Sequence, residues 1–140
     1  MPYTAIEMLY RRLGEGITRC RMYADHTDNQ GLKKLLSSII EQEVENRDQL
    51  KDQRDALALN APPTGSGAAA LTPDIIPEKS DDIRRLLSLL EEKKGLLEAF
   101  GKAAQQCPAG DLRQLLQKIT DDERKQYSWL KDRYDLETLR

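Results

Sequence analysis

The sequence predicts an all-α protein that folds as a four-helix bundle. Charged residues make up 33% of the chain and aromatic residues only 5%, a balance typical of long solvated helices. Apolar residues recur at spacings of three and four along four separate stretches, which indicates four amphipathic helices. A proline-rich segment divides these stretches into two pairs. At 140 residues the chain suits one domain with a buried core, and we expect a single domain over residues 1–140.

The first pair of stretches predicts two helices joined by a short turn. Helix one is expected over about residues 5–25, with Thr4 and Glu7 at the spacing of a capping box. A polar break at residues 28–31 separates it from helix two, which should end near Leu59.

The second pair of helices follows a segment with no helical period. Residues 60–80 hold four of the six prolines, so we expect a linker there. Ser80 and the two aspartates after it should start helix three, which ends near Cys107 with a proline behind it. Helix four is expected over about residues 110–136. The apolar stripe predicted for helix three comprises Ile83, Leu86, Leu87, Leu90, Leu97 and Phe100.

The loop lengths predict the topology of the bundle. The short first and third turns favour antiparallel hairpins over residues 1–59 and 81–140. About twenty extended residues reach roughly 60 Å, enough to run back along a bundle. We therefore predict a long crossover over residues 60–80, with helices two and three parallel. A docking role for its prolines is the alternative to plain linkage.

Charge and composition limit which partners and which cellular compartment we expect for this protein. The 22 basic and 24 acidic residues are spread evenly, so the sequence predicts no binding of nucleic acid or of a membrane surface. We find neither a signal peptide nor a membrane-spanning run and expect a cytoplasmic protein. Cys20 and Cys107 are expected to be buried free thiols. The single histidine, His26, is interpreted as a solvated turn residue.

Two polar residues interrupt the apolar stripe of helix two. Glu43 and Asn46 stand where the spacing calls for apolar side chains. Shifting residues 31–50 by 80 positions gives six identities in twenty, and it places Glu123 on Glu43 and Gln126 on Asn46. Both hairpins therefore carry the pattern Glu-x-x-amide in the middle of their second helix.

These stretches, LKKLLSSIIEQEVENRDQL and LRQLLQKITDDERKQYSWL, resemble the second and fourth helices of the ferritin-like superfamily, specifically of the rubrerythrin type. Such proteins hold two irons between a glutamate from each of two helices and a Glu-x-x-His from each of the other two. The resemblance implies Glu43 and Glu123 as metal ligands. It also implies an oxidoreductase or peroxidase that uses iron or manganese with peroxide or dioxygen.

The chain departs from this pattern at four of the six ligand positions. The histidines of the family fall on Asn46 and Gln126, whose amides are poor iron ligands. In the family, the glutamate of the first helix lies seven residues before a tyrosine. Counting back seven residues from Tyr23 gives Gly16, and the 80-residue shift carries that position to Leu96. Neither residue can bind a metal.

Two interpretations of the central glutamates remain open. Glu43 and Glu123 are either the remnant of a metal site that still binds one weaker cation, or part of a polar core layer. Uncompensated carboxylates in a core are costly, so a polar layer requires a proton or a positive charge. The residues expected in such a layer are Asn46, Gln126, Lys93 and Lys94. A layer of this kind predicts that replacing both glutamates by Gln or Leu leaves stability similar or higher.

The function expected from these observations is non-catalytic. The chain should be a ferritin-like bundle that has lost its di-iron site, binds no cofactor and acts as an interaction or structural protein. The alternative is the metal-binding oxidoreductase implied by the resemblance. We expect a homodimer, with Trp129 marking the dimer surface, besides an unknown protein partner.

Overall fold

A computed structural model describes residues 3–58 and 82–139, and these form four helices without a strand. The helices are α1 (Tyr3–His26), α2 (Gln30–Ala58), α3 (Asp82–Gln106) and α4 (Asp111–Thr138). The predicted class, an all-α four-helix bundle, is confirmed. The predicted linker over residues 60–80 and the predicted helix start at Ser80 lie outside the described residues.

Two short turns join the helices within each pair. Asn29 caps α2, because its Oδ1 accepts a hydrogen bond from the backbone N–H of Leu32 at 3.0 Å. Gly110 precedes α4 with a φ of 153°, a conformation that favours glycine. Its carbonyl accepts the first backbone hydrogen bond of that helix, from Gln114 at 3.1 Å.

The helices pack in the order α1, α2, α4, α3 around the bundle, so that α1 and α4 are diagonal and so are α2 and α3. One apolar cluster joins the start of α1 and α4 to the end of α2 and α3. A second cluster joins the opposite ends of the same helices. It follows that α2 and α3 run in the same direction, opposite to α1 and α4.

Two sequence-based details are corrected. Thr4 lies inside α1, and Glu7 accepts a hydrogen bond from the Tyr3 hydroxyl at 3.3 Å instead of closing a capping box. In α3, Ile83 and Leu87 are exposed. The residues that this helix buries are Arg85, Leu86, Leu89, Leu90, Lys93, Leu96, Phe100, Ala103 and Ala104. The core stripe of α3 is therefore rotated from the predicted one, and it runs directly through Lys93.

The structure also shows the surroundings of the two cysteines and of the single histidine, and the character of the helices with respect to a membrane. Cys20 and Cys107 are buried free thiols, as predicted. His26 is exposed in the last turn of α1, where its Nδ1 lies 2.7 Å from the carbonyl oxygen of Met22. No helix in the described ranges combines the length and the apolar composition needed to cross a membrane.

Candidate functional site

A layer of polar side chains separates the two apolar clusters at the middle of the bundle. We call it the central layer and define it by five side chains, none of them more than 1% exposed. Two come from α2, one from α3 and two from α4. They are Glu43, Asn46, Lys93, Glu123 and Gln126. Helix α1 contributes none of the five side chains, and the residue that the 80-residue shift matches to Lys93 is the buried, apolar Leu13.

Lys93 occupies the space between the two glutamates. Its Nζ lies 2.8 Å from Oε2 of Glu123 and 3.1 Å from Oε2 of Glu43. These contacts are ion pairs rather than well-directed hydrogen bonds. One ammonium on α3 thus contacts a carboxylate on the diagonal helix α2 and another on the adjacent helix α4.

The two amides connect the central layer to the α2–α4 side of the bundle. Gln126 donates from Nε2 to Oε1 of Glu43 at 3.0 Å and to Oε1 of Gln42 at 2.8 Å. Asn46 donates from Nδ2 to Oδ2 of Asp122 at 3.1 Å. Asn46 also accepts from Nζ of the half-exposed Lys118 at 2.8 Å. Both polar atoms of Asn46 and the Nε2 of Gln126 are therefore engaged with protein side chains, whereas Oε1 of Gln126 is buried without a hydrogen-bond partner in the described structure.

The charges of the central layer balance when one carboxyl keeps its proton. Burial raises the pKa of Glu123 well above its ordinary value, and the neighbouring Glu43 adds to the rise although Lys93 opposes it. Burial alone would lower the pKa of Lys93, but Glu123 and Glu43 outweigh it and raise that pKa. An ammonium, one carboxylate and one carboxylic acid together carry no net charge.

The structure brings together five of the six side chains that the sequence singled out. Lys94 is the exception and corrects the predicted layer, because it is exposed on the surface of α3. One residue corresponds to a rotation of about 100° on a helix, so only one of two adjacent lysines can face the core. Glu15, which precedes Gly16, is likewise exposed on α1.

The donor set of the central layer does not fit a two-metal centre. Only Glu43 and Glu123 offer carboxylate oxygens there, and Lys93 stands between them. Within residues 3–58 and 82–139, no three or more His, Cys, Asp or Glu side chains group in a way that could hold a metal ion. Nearby Cys20 adds no ligand at neutral pH, because burial raises its pKa to about 12 and keeps the thiol protonated.

A second polar contact, which the sequence did not reveal, borders the central layer on the α1–α3 side. Glu92, the residue before Lys93, forms an ion pair with Arg19 of α1. Its other oxygen, Oε1, lies against Gly16, where an added Cβ would overlap it. Gly16 therefore makes room on α1 for a carboxylate that comes from α3.

This close approach predicts opposite effects for two glycines of α1. Gly16→Ala should lower the free energy of unfolding by about 1 kcal/mol net, because the displacement of Glu92 from a largely buried ion pair outweighs the better helix propensity of alanine. Gly14→Ala is the matched control: no atom lies within 4 Å of its added Cβ, so the better helix propensity of alanine should raise stability by about 0.5–1 kcal/mol. Chemical denaturation of both variants checks this, and equal effects of the two substitutions would contradict it. In a Glu92→Ala background the penalty at Gly16 should disappear.

Searches of protein-family models, of curated proteins and of solved structures found no significant match to this chain. The class of the protein is defined by its fold and its central layer. It is an all-α four-helix bundle with a buried Lys–Glu cluster at mid-height.

Proposed function

We propose that this chain is a ferritin-like, rubrerythrin-type bundle that has lost its di-iron site and acts in the cytoplasm as a non-catalytic interaction or structural protein. The observation that carries the proposal is the position of the Lys93 ammonium, 2.8 Å and 3.1 Å from the two central glutamates. It supplies positive charge where the resemblance implies metal ions.

The chemistry of the central layer supports a structural role. An ammonium of raised pKa is a poor general base, and a thiol with a pKa of about 12 is a poor nucleophile. The amides of Asn46 and Gln126 offer neither proton transfer nor strong metal ligation. No group of this layer combines the accessibility and the protonation state that catalysis needs.

The central layer also has a structural use of its own. A single Lys93 side chain reaches carboxylates on both α2 and α4, and Gln126 links α4 back to α2. Sliding one helix by a turn, about 5.4 Å, would break these contacts and leave buried charges without partners. We infer that the layer sets the register of the helices and thereby gives the bundle a rigid outer surface for partners.

Metal content tests the proposal. Protein purified without chelators should contain far less than one iron or manganese per chain, before and after incubation with ferrous iron or manganese in air. Elemental analysis and absorption spectroscopy measure this. Peroxide consumption in the presence of a reductant should equal that of the buffer.

The competing function is the metal-dependent oxidoreductase. About two irons per chain, together with a ligand-to-metal absorption band, would refute the proposal and establish that alternative. A Lys93→Met variant is an informative comparison: if the wild-type protein and this variant both bound two irons, Lys93 would not be the counter-charge of the glutamates.

A further inference from the structure

The outer face of α4 carries two exposed apolar side chains on one line with two charged ones. Trp129 is 39% exposed and Leu136, seven residues later, is 45% exposed. Lys125 and Asp132 alternate with them, so that the four positions follow one another at spacings of four, three and four. Such spacing places all four on one line along a helix, in which charged and apolar side chains alternate. We call this line the α4 stripe.

The charges around the α4 stripe are distributed unevenly. Arg124 pairs with Asp121 at 3.0 Å, and Lys131 pairs with Asp135 at 2.9 Å, both within α4. In the part of the chain that the structure describes, Lys125 and Asp132, which belong to the stripe itself, form no ion pair or hydrogen bond. The stripe thus has a free positive charge on one side of Trp129 and a free negative charge on the other.

We propose that the α4 stripe is the contact surface for a second copy of this chain, packed antiparallel about a two-fold axis near Trp129. This inference rests on the proposed role as an interaction protein and identifies its first partner. In this arrangement the two Trp129 side chains meet at the axis, and Lys125 of each copy faces Asp132 of the other.

The spacing of the two free charges along the helix fits an antiparallel two-fold contact. Lys125 lies about 6 Å before Trp129 along the helix axis, and Asp132 lies about 4.5 Å after it. Reversing the direction of one helix brings these two charges to nearly the same height, with opposite signs. A parallel pair would instead place like charges side by side. A two-fold contact is isologous, so each substitution acts twice in one dimer.

The closing experiment measures self-association by sedimentation equilibrium over a concentration series of the full chain. The wild-type protein should dimerise, and Trp129→Ser should raise the dissociation constant at least tenfold. Met8→Ser is the matched control, because Met8 is 62% exposed on α1 and should leave the dissociation constant unchanged. A wild-type protein that stays monomeric throughout, or a dimer that Trp129→Ser does not weaken, overturns the proposal.

Charge exchange tests the antiparallel geometry. Lys125→Glu alone and Asp132→Lys alone should each weaken the dimer severalfold, since each places like charges opposite one another. The double variant Lys125→Glu/Asp132→Lys should recover wild-type affinity. Failure to recover overturns the antiparallel pairing. Metal analysis of the same samples keeps the two proposals separate: a dimer that contains two irons refutes the lost metal site alone, and a metal-free monomer refutes the α4 contact alone.

Discussion

Lys93→Met is expected to lower the free energy of unfolding by about 3–5 kcal/mol at neutral pH, the cost of leaving buried charges without a partner. Methionine matches the volume of the lysine stem, so packing is largely kept. The substitution removes the only positive charge within 3.1 Å of Glu43 and Glu123 in the described structure. Urea denaturation followed by circular dichroism measures the loss.

The neighbouring lysine provides the control for this substitution. Lys94→Met changes the same residue type one position later, where the side chain is exposed. It should change stability by no more than about 0.5 kcal/mol. Similar effects of the two substitutions would mean that the ion pairs of Lys93 contribute little to stability.

The loss caused by Lys93→Met should depend on pH. Without the ammonium, burial holds the pKa of Glu123 above the unfolded value of about 4.3. A carboxyl group whose pKa is higher in the folded than in the unfolded state binds its proton more tightly in the folded state. The folded protein therefore loses stability as the pH rises through the folded pKa. The deficit relative to Lys94→Met should therefore shrink as the pH falls from 8 toward 5. A deficit that is constant over this range would contradict the assignment.

The second large effect is expected for Glu43→Gln/Glu123→Gln with Lys93 in place. The sequence alone predicted similar or higher stability for this change, but the structure reverses that expectation because Lys93 would be left as a buried, unpaired cation. The double variant should lose about 3–5 kcal/mol at neutral pH. Glu41→Gln/Glu45→Gln, at exposed positions of α2, is the control and should remain close to the wild-type protein.

The stability of the Glu43→Gln/Glu123→Gln variant should change with pH in the opposite direction to that of Lys93→Met. Without the two carboxylates, burial lowers the pKa of Lys93 below the unfolded value of about 10.4. The folded state then binds protons less tightly than the unfolded chain, so stability rises as the pH rises toward that value. The triple variant, with Lys93→Met added to the double variant, lacks all three ionisable groups and should regain stability at the wild-type level or above it. A triple variant that is less stable than the double variant would contradict the ionic description of the central layer.

The helices were predictable because their apolar periodicity is strong. All four were expected at positions close to those observed, and the largest errors fell on their ends and on the face of α3. A run such as DIRRLLSLLEEKKGLLEAF contains enough leucines to support two overlapping stripes. Only packing against α1 and α4 selects Leu89 and Leu96 for the core and leaves Leu87 exposed.

The central layer was partly predictable for a different reason. Glu43 and Glu123 stood out because a carboxylate in an apolar stripe must have a partner, and the internal shift of 80 residues matched them. The choice between Lys93 and Lys94 depended on the rotation of α3, which the ambiguous stripe left open. The contact of Glu92 with Gly16 had no signal in the sequence, since it joins residues that are 76 positions apart across two helices.

The sequence by itself determined the class of the fold, the number of helices and the presence of acidic groups inside the bundle. Periodicity and composition are local properties, and burial of a charge is costly wherever it occurs. The tertiary structure alone decided what neutralises those groups. An ion pair depends on distances of about 3 Å between side chains from different helices, and the relative rotation and register of packed helices arise only when all four are assembled.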